Sequence, residues 1–314
     1  MSDKPITTSV TWDTIDVNYA GQRIDNYLMN KLKGLPKSRL YRLLRKGEIR
    51  VNKKRVKPDY RLEEGDILRI APIKLEDKPA KAKPPQSLCD DLLSRILYED
   101  QDLLIINKPS GLACHGGTGV EYGLIEALRQ ARPEDKFLDL AHRLDRGTSG
   151  CLIIGKNRTV LSQIHDLLRK GEVDKRYLAL VHGQWPVHVS LVDVPLIKNQ
   201  SQSGERMVMV DESGKPAKTR FHIAEKYRYH TLIGASLLTG RTHQIRVHAA
   251  HVGCPLVCDD KYGERRFDKK LPADWPKRLF LHATSINFIS PASGKDILVN
   301  VPLEAELQGL LDRL

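Results

Sequence analysis

No stretch of this 314-residue chain is apolar for long enough to cross a membrane. Runs such as Leu103-Leu104-Ile105-Ile106 stop far short of the roughly 18 residues a span needs. The N-terminal Met1-Ser2-Asp3-Lys4-Pro5 leads into polar sequence without an apolar core, so a secretory signal is not expected. Five cysteines, an odd number scattered along the chain, argue against a disulfide framework and for reduced thiols in a cytoplasm. No internal repeat of fixed period is present. Gly116-Gly117-Thr118-Gly119 lacks the Lys-Ser/Thr that completes a phosphate-binding loop, and Thr148-Ser149-Gly150 is not a Gly-x-Ser-x-Gly elbow. These absences weaken a membrane protein, a secreted mini-domain, a nucleoside triphosphatase and a serine hydrolase in turn. What remains, 40% apolar and 29% charged, is ordinary globular material long enough for two domains.

Acidic residues are scarce in one place. Residues 21–75 hold 16 basic and 6 acidic side chains, a net of +10, when the whole chain carries +12. Charge concentrated in a sixth of the sequence points to phosphate, whose neutralisation releases condensed counterions. A solvated basic surface or an anionic lipid contact are the bland alternatives. A membrane-lying helix fits less well, because the basic residues run through several elements rather than along one helical face.

The basic segment reads as a small folded unit. Ile24, Tyr27, Leu28 and Leu32 have helical spacing, and Leu40, Leu43 and Leu44 mark a second short helix ending at Gly47. Residues 48–52 alternate as a strand, a turn follows at Lys53-Lys54, and Ile67, Leu68 and Ile70 form another strand. Lys37, Arg39, Arg42, Arg45 and Lys46 on the second helix, with Lys53, Lys54 and Arg55 on the turn, make a basic docking surface for RNA. The pattern Arg-Ile-Asp-x-Tyr-Leu, then Ser-Arg-Leu-Tyr-Arg-Leu-Leu-Arg-Lys-Gly, then Leu-x-x-Gly-Asp resembles the S4 RNA-binding domain. Such a domain is expected to dock on structured RNA through backbone and shape contacts.

The expected organisation is an N-terminal extension over 1–20, the S4-like unit over 21–75, an extended proline-bearing linker over 76–90 and a second domain over 91–314. In the second domain, strands are expected within 96–106 and at 150–155, 177–181, 219–224 and 232–238. Helices are expected at 124–132, through Leu161, Ile164, Leu167 and Leu168, and over 241–252 with Gly253 as the stop. Clustered strands with occasional helices make this an α+β domain with a mixed sheet.

One loop is sharply patterned: His142-Arg143-Leu144-Asp145-Arg146-Gly147-Thr148-Ser149-Gly150 sets a carboxylate between two arginines just before a buried strand. Flanking cations are expected to hold Asp145 ionised, which suits a nucleophile or charge stabiliser; the bland reading is a residue that caps a turn. The wider pattern favours chemistry. His-Arg-Leu-Asp-x-x-Thr-Ser-Gly resembles the active-site motif of the RluA-type pseudouridine synthases. Asn107–Leu112, Lys175–Leu180, Gly240–His248 and Leu279–Ala283 fall in that family's order over roughly 95–300.

The resemblance implies an enzyme that breaks the ribose–uracil nitrogen bond, turns the base and rejoins it through carbon. Because the product is an isomer, neither metal nor organic cofactor is expected. It implies Asp145 as the catalytic carboxylate, its mode of attack left open. Tyr177 would stack on the flipped uracil and help remove a proton, against the alternative of a core tyrosine on a strand. Arg246 would pair with Asp145, with Arg241 as rival for that partnership. Arg143 would fill the gap left by the extruded nucleotide, or only touch phosphate. His142 reads as structural.

His243, His248, His251, Cys254 and Cys258 crowd together, but their spacing matches no zinc signature, so no metal is expected there. The expected partner is large-subunit (23S) ribosomal RNA or its assembly intermediates. The expected protein is a cytoplasmic monomer without membrane contact or obligatory protein partner. A synthase acting on another RNA, such as transfer RNA, or a non-catalytic RNA-binding or ribosome-assembly protein, are the alternatives.

Overall fold

A computed structural model describes residues 6–7, 9–32, 34–75, 82–117, 119–200, 206–269, 271–272 and 274–314. The chain divides into two compact units, Met1–Ala82 and Lys83–Leu314, each with its own core.

In the first unit, β1 (Ile6–Thr7) pairs with β5 (Lys74–Leu75), and β2 (Thr11–Thr14), β3 (Ile49–Val51) and β4 (Ile67–Ile70) form a sheet in the order β2-β4-β3. Helices α1 (Ile24–Lys31) and α2 (Lys37–Lys46) cover one face of it, burying Ile24, Leu28, Leu40 and Leu44 against Ile49, Leu68 and Ile70. Gly47, in the left-handed conformation at φ +72°, closes α2, where few other residues would sit without strain. The expected extension over 1–20 is corrected here. Strand β2 is an edge of the unit's sheet, Ile15 lies in its core, and Asp13 meets the Tyr27 hydroxyl and Lys31. Its short, mostly polar strand hid that pairing from the sequence.

The expected linker is also shorter than 76–90. Its residues 76–81 lie outside the described part, but α3 (Gln86–Ser94) begins straight after Pro84-Pro85 and buries Cys89 and Leu92. A proline immediately before the first turn starts a helix rather than extending a tether.

The second unit is built on a ten-stranded mixed sheet. Strands β6 (Ile96–Glu99) and β7 (Leu103–Lys108) form a hairpin where a single strand was expected within 96–106, the turn coming at Asp100–Asp102. Then follow α4 (Leu124–Ala131), β8 (Asp139–Leu140), β9 (Ser149–Gly155), α5 (Arg158–Lys170) and β10 (Asp174–His182). Next come β11 (Leu191–Asp193), β12 (Leu196–Gln200), β13 (Arg206–Val210), β14 (Lys218–Lys226) and β15 (His230–Leu237). The chain ends through α6 (Gln244–His251), α7 (Arg265–Asp268), β16 (Leu281–Ile289), β17 (Asp296–Asn300) and α8 (Ala305–Leu311).

The strand order is β11-β14-β15-β10-β16-β9-β7-β6, with β17 on β16 and β8 on β9; the β16–β9 pairing is parallel and the others antiparallel. Apolar runs in β7 and β9 are explained by burial on both faces. Leu104, Ile106, Leu152 and Ile154 meet α3 and α4, while Leu103, Ile105, Cys151 and Ile153 meet α5.

Candidate active site

The Asp145 loop runs from β8 into β9 and is fastened to the end of β7. Lys108 is fully buried, and its ammonium donates to the carbonyls of Pro109, Leu112 and Arg146 at 2.9, 2.9 and 3.2 Å. Burial pulls its pKa down to about 8, against the opposing charge of Asp145. The Ser110 hydroxyl donates to the Gly147 carbonyl, the Gly111 N–H to the Arg146 carbonyl, and the Arg146 side chain back to Gly111. His142 accepts from the Ile153 N–H, and burial pulls its pKa to about 3, so a neutral ring anchors the loop from behind.

The sheet then brings Tyr177 to the same place. Gly150 lies opposite Ala283 of β16, and Ala283 lies opposite Tyr177 of β10. Gly150 has φ +108°, and a Cβ there would stand 2.2 Å from the Ala283 carbonyl oxygen, so only glycine permits this approach. A register shift between Arg176 and Tyr177 re-aims the strand beside the site. Tyr177 is 6% exposed and lines a small recess with Asp145, Arg143, Arg241, His243 and Arg246. Burial, reinforced by the Asp145 charge, pushes its hydroxyl pKa up, so it stays protonated at neutral pH. The recess adjoins a cleft of about 580 Å³ whose rim carries Arg143, Arg146, Lys261, Lys277 and Arg278.

Arg246 comes from the first turns of α6 and is 4% exposed. One terminal nitrogen lies 3.4 Å from Asp145 Oδ2, and the guanidinium is bidentate to Asp259 at 2.7 and 2.6 Å, with Asp260 at 3.0 Å. Burial works against its charge, but the Asp259 hydrogen bonds and charge outweigh that and raise its pKa. Burial likewise works against an ionised Asp259, and Arg246 overcomes it, holding that carboxyl below its ordinary value. The Tyr262 ring lies 5.1 Å from the guanidinium.

Arg246 is thus a cation shared by three carboxylates, Asp145, Asp259 and Asp260, and Asp259 holds it most closely. Arg241 is not the partner; its Nε donates to the Pro216 carbonyl, and Gln244 takes its backbone N–H. Sequence reasoning missed Asp259 and placed His243 only among the zinc rivals. His243 Nε2 stands 3.8 Å from Asp145 Oδ1, and its Nδ1 meets the Tyr262 hydroxyl at 2.7 Å. Burial lowers the His243 pKa despite Asp145, which leaves a neutral ring beside the carboxylate. The acidic pair Asp259-Asp260 after Cys258 was the available signal for the former.

The crowded histidines and cysteines disperse in the fold: His248 meets Thr219, and the Cys254 thiol points to the Gln184 carbonyl. Among the described residues no group of three His, Cys, Asp or Glu side chains is arranged to hold a metal. In the first unit Lys37, Arg42, Arg45 and Lys46 are exposed on α2 with Arg39 half-buried, and Lys53, Lys54 and Arg55 are exposed on the turn after β3. Arg55 packs against Gly47, and Lys37 lies 5.4 Å from the Tyr41 ring centre.

Residues 102–251 match the family of RNA pseudouridylate synthases, and residues 22–68 match the S4 domain. The chain is 51% identical over 313 residues to the ribosomal large subunit pseudouridine synthase C of Pasteurella multocida (strain Pm70), covering 99% of this chain and 96% of that protein. The protein of that name from Escherichia coli (strain K12) is 49% identical, at 99% and 98% coverage. The chain belongs to the RNA pseudouridylate synthase family.

Solved structures agree with the synthase fold. Human RNA pseudouridylate synthase domain containing 4 superposes with a TM-score of 0.59 at 25% identity, covering 73% of this synthase and 95% of that chain. Human RNA pseudouridylate synthase domain containing 1 gives 0.56 at 24%, covering 75% and 90%. The α+β mixed sheet behind an S4 domain is thus an arrangement expected for this synthase and found in it. Among the described residues no helix is long and apolar enough to cross a membrane.

Proposed function

We propose that this synthase isomerises uridines of large-subunit (23S) ribosomal RNA to pseudouridine, with Asp145 as the catalytic carboxylate. The observation that carries the reading is the Asp145 carboxylate facing Arg246 across a recess walled by Tyr177, at the foot of a cation-rimmed cleft. The target follows the names of relatives matched over nearly their whole length.

A base stacked in a helix is out of reach, so the target nucleotide swings into the recess and Arg143, exposed on the cleft wall, occupies the space it leaves. Asp145 is the carboxylate that drives the exchange, its charge balanced by Arg246, whose own charge Asp259 secures. The ribose–N1 bond breaks and the ribose–C5 bond forms. The C5 proton leaves and N1 gains one, so the atoms balance without an oxidant or cofactor. The Tyr177 ring packs on the uracil and its hydroxyl helps carry the C5 proton. The basic face of the first unit, Lys37 to Lys46 and Lys53 to Arg55, meets RNA phosphate, and the protein works as a monomer in the cytoplasm.

Release of tritium from RNA labelled at uracil C5 tests the chemistry. The wild-type protein should release it from 23S transcripts far faster than from transfer RNA, and Asp145→Asn should lower the rate at least about a thousandfold. Unchanged release by Asp145→Asn would require another nucleophile, and equal rates on transfer RNA would remove the ribosomal target.

A further inference from the structure

Among the described residues, the sheet of the first unit has helices on one face only. Its other face follows from register. Trp12 pairs with Arg69, and Arg69 pairs with Arg50, so these three side chains form a row across β2, β4 and β3. Leu68, Ile70, Ile49 and Val51 alternate with them and point into the core. Trp12 is 57% exposed, and Ile67, opposite Thr14 on the same face, is 46% exposed. Arg50 gives its Nε to the Gly47 carbonyl, and its terminal nitrogens have no partner among the described residues. Arg69 likewise has no hydrogen bond or ion pair there. An indole left largely in water, beside the Arg69 guanidinium and the free terminal nitrogens of Arg50, adds little to the unit's own packing.

We propose that this face is a platform for unpaired nucleotides of the RNA substrate, a base stacking on Trp12 while neighbouring phosphates meet Arg69 and Arg50. It rests on the reading that the substrate is RNA. Three observations select this occupant. The row pairs an aromatic face with cations, the combination by which single strands are held. Adjacent strands lie about 5 Å apart, so the indole and both guanidiniums fall within reach of one nucleotide and its neighbours. The face also runs directly into the basic turn at Lys53 and Lys54, which follows β3. Glu48, just before β3, is the nearest acid along that strand and turns phosphate toward the Lys53 end. The indole needs the flat side of a base, which a duplex hides within its stack, so the platform selects unpaired segments. It is separate from the basic face of α2, where the ring beside Lys37, Tyr41, is half-buried with its hydroxyl donated to Asp25.

Fluorescence of the full chain tests this. Trp185 and Trp275 are buried, so Trp12 is the exposed indole among three tryptophans. Titration with a short oligouridylate should quench its emission, and an RNA duplex of equal length should not. Trp12→Ala should weaken oligouridylate binding about five- to a hundredfold, Trp12→Phe should retain most of it, and Arg69→Gln should reduce the log–log salt slope by about 0.7. Absence of quenching, equal quenching by the duplex, or full affinity in Trp12→Ala overturns the platform. A Trp12→Ala variant that loses only self-association, with RNA affinity intact, assigns the face to a protein contact and overturns it too. Wild-type protein that releases tritium in the assay above but shows no quenching overturns this inference alone. Quenching without tritium release overturns the catalytic reading alone.

Discussion

Arg246 illustrates how a single side chain can face one carboxylate while being held by others. A guanidinium buried to this extent is tolerable only with close anionic company, because desolvation opposes its charge. Asp259, itself fully buried, supplies that company through two parallel hydrogen bonds, whereas Asp260 is 82% exposed and loosely engaged. The 3.4 Å approach to Asp145 leaves that carboxylate faced by a cation but not locked into a tight bidentate pair. Two substitutions of equal charge should therefore behave differently. Asp259→Asn should cost about 3 kcal/mol of stability in urea unfolding and most of the turnover, while Asp260→Asn should cost less than about 1 kcal/mol. Equal costs would show that the energy does not follow the geometry.

The elements that carry these residues are set by close approach. The Asp145 loop is stitched to the end of β7 by the buried Lys108 ammonium and by Ser110 and Gly111, then fed into β9 against the parallel neighbour β16. That parallel pairing works only because Gly150 lacks a Cβ. Gly150→Ala should add a side-chain atom against the Ala283 carbonyl in a backbone conformation alanine disfavours. The expected result is a loss of more than about 2 kcal/mol in thermal unfolding, with turnover falling as the loop is pushed out of line. An alanine variant as stable and active as wild type would mean that β9 can be respaced freely.

At the scale of the whole molecule, two compact units with separate cores divide the work. Removing residues 1–82 should leave a folded second unit whose RNA binding is weaker and less salt-dependent, since most of the excess positive charge goes with the first. Filter binding across a salt series checks this, and an unchanged slope would contradict it. Buried histidines make the second unit sensitive to acid. Burial lowers the pKa of His142 to about 3 and of His230 and His248 to about 4, against about 6.5 in an unfolded chain. Between those values the unfolded chain binds more protons, so stability is complete above about pH 6.5 and drains away as pH falls toward 4. Each of the latter two contributes at most about 3 kcal/mol to that loss. Urea midpoints at pH 7 and pH 5 should show the drop, and His248→Gln should lessen it; a midpoint independent of pH would refute the linkage.

Local pattern was enough to read the helices α1, α2, α4 and α5, the buried strand β9, the basic first unit and the Asp145 loop, because apolar period, stop glycines and motif spacing are written within a few neighbouring residues. The partnership around Asp145 was not local. Arg246 lies 101 residues away and Asp259 a further 13, and α6 had to turn before Arg246, rather than Arg241, could face the carboxylate. The pairing of β2 with β4, the hairpin of β6 and β7 and the helix that cuts the linker short also needed long-range contacts, since short polar strands and a prolyl helix start carry little periodicity of their own. The chain alone determined which chemistry-bearing residues were available and which segment was positive. Tertiary packing decided which of them meet, because ion-pair partners and strand neighbours are selected by burial and register across the fold, not by nearness in sequence.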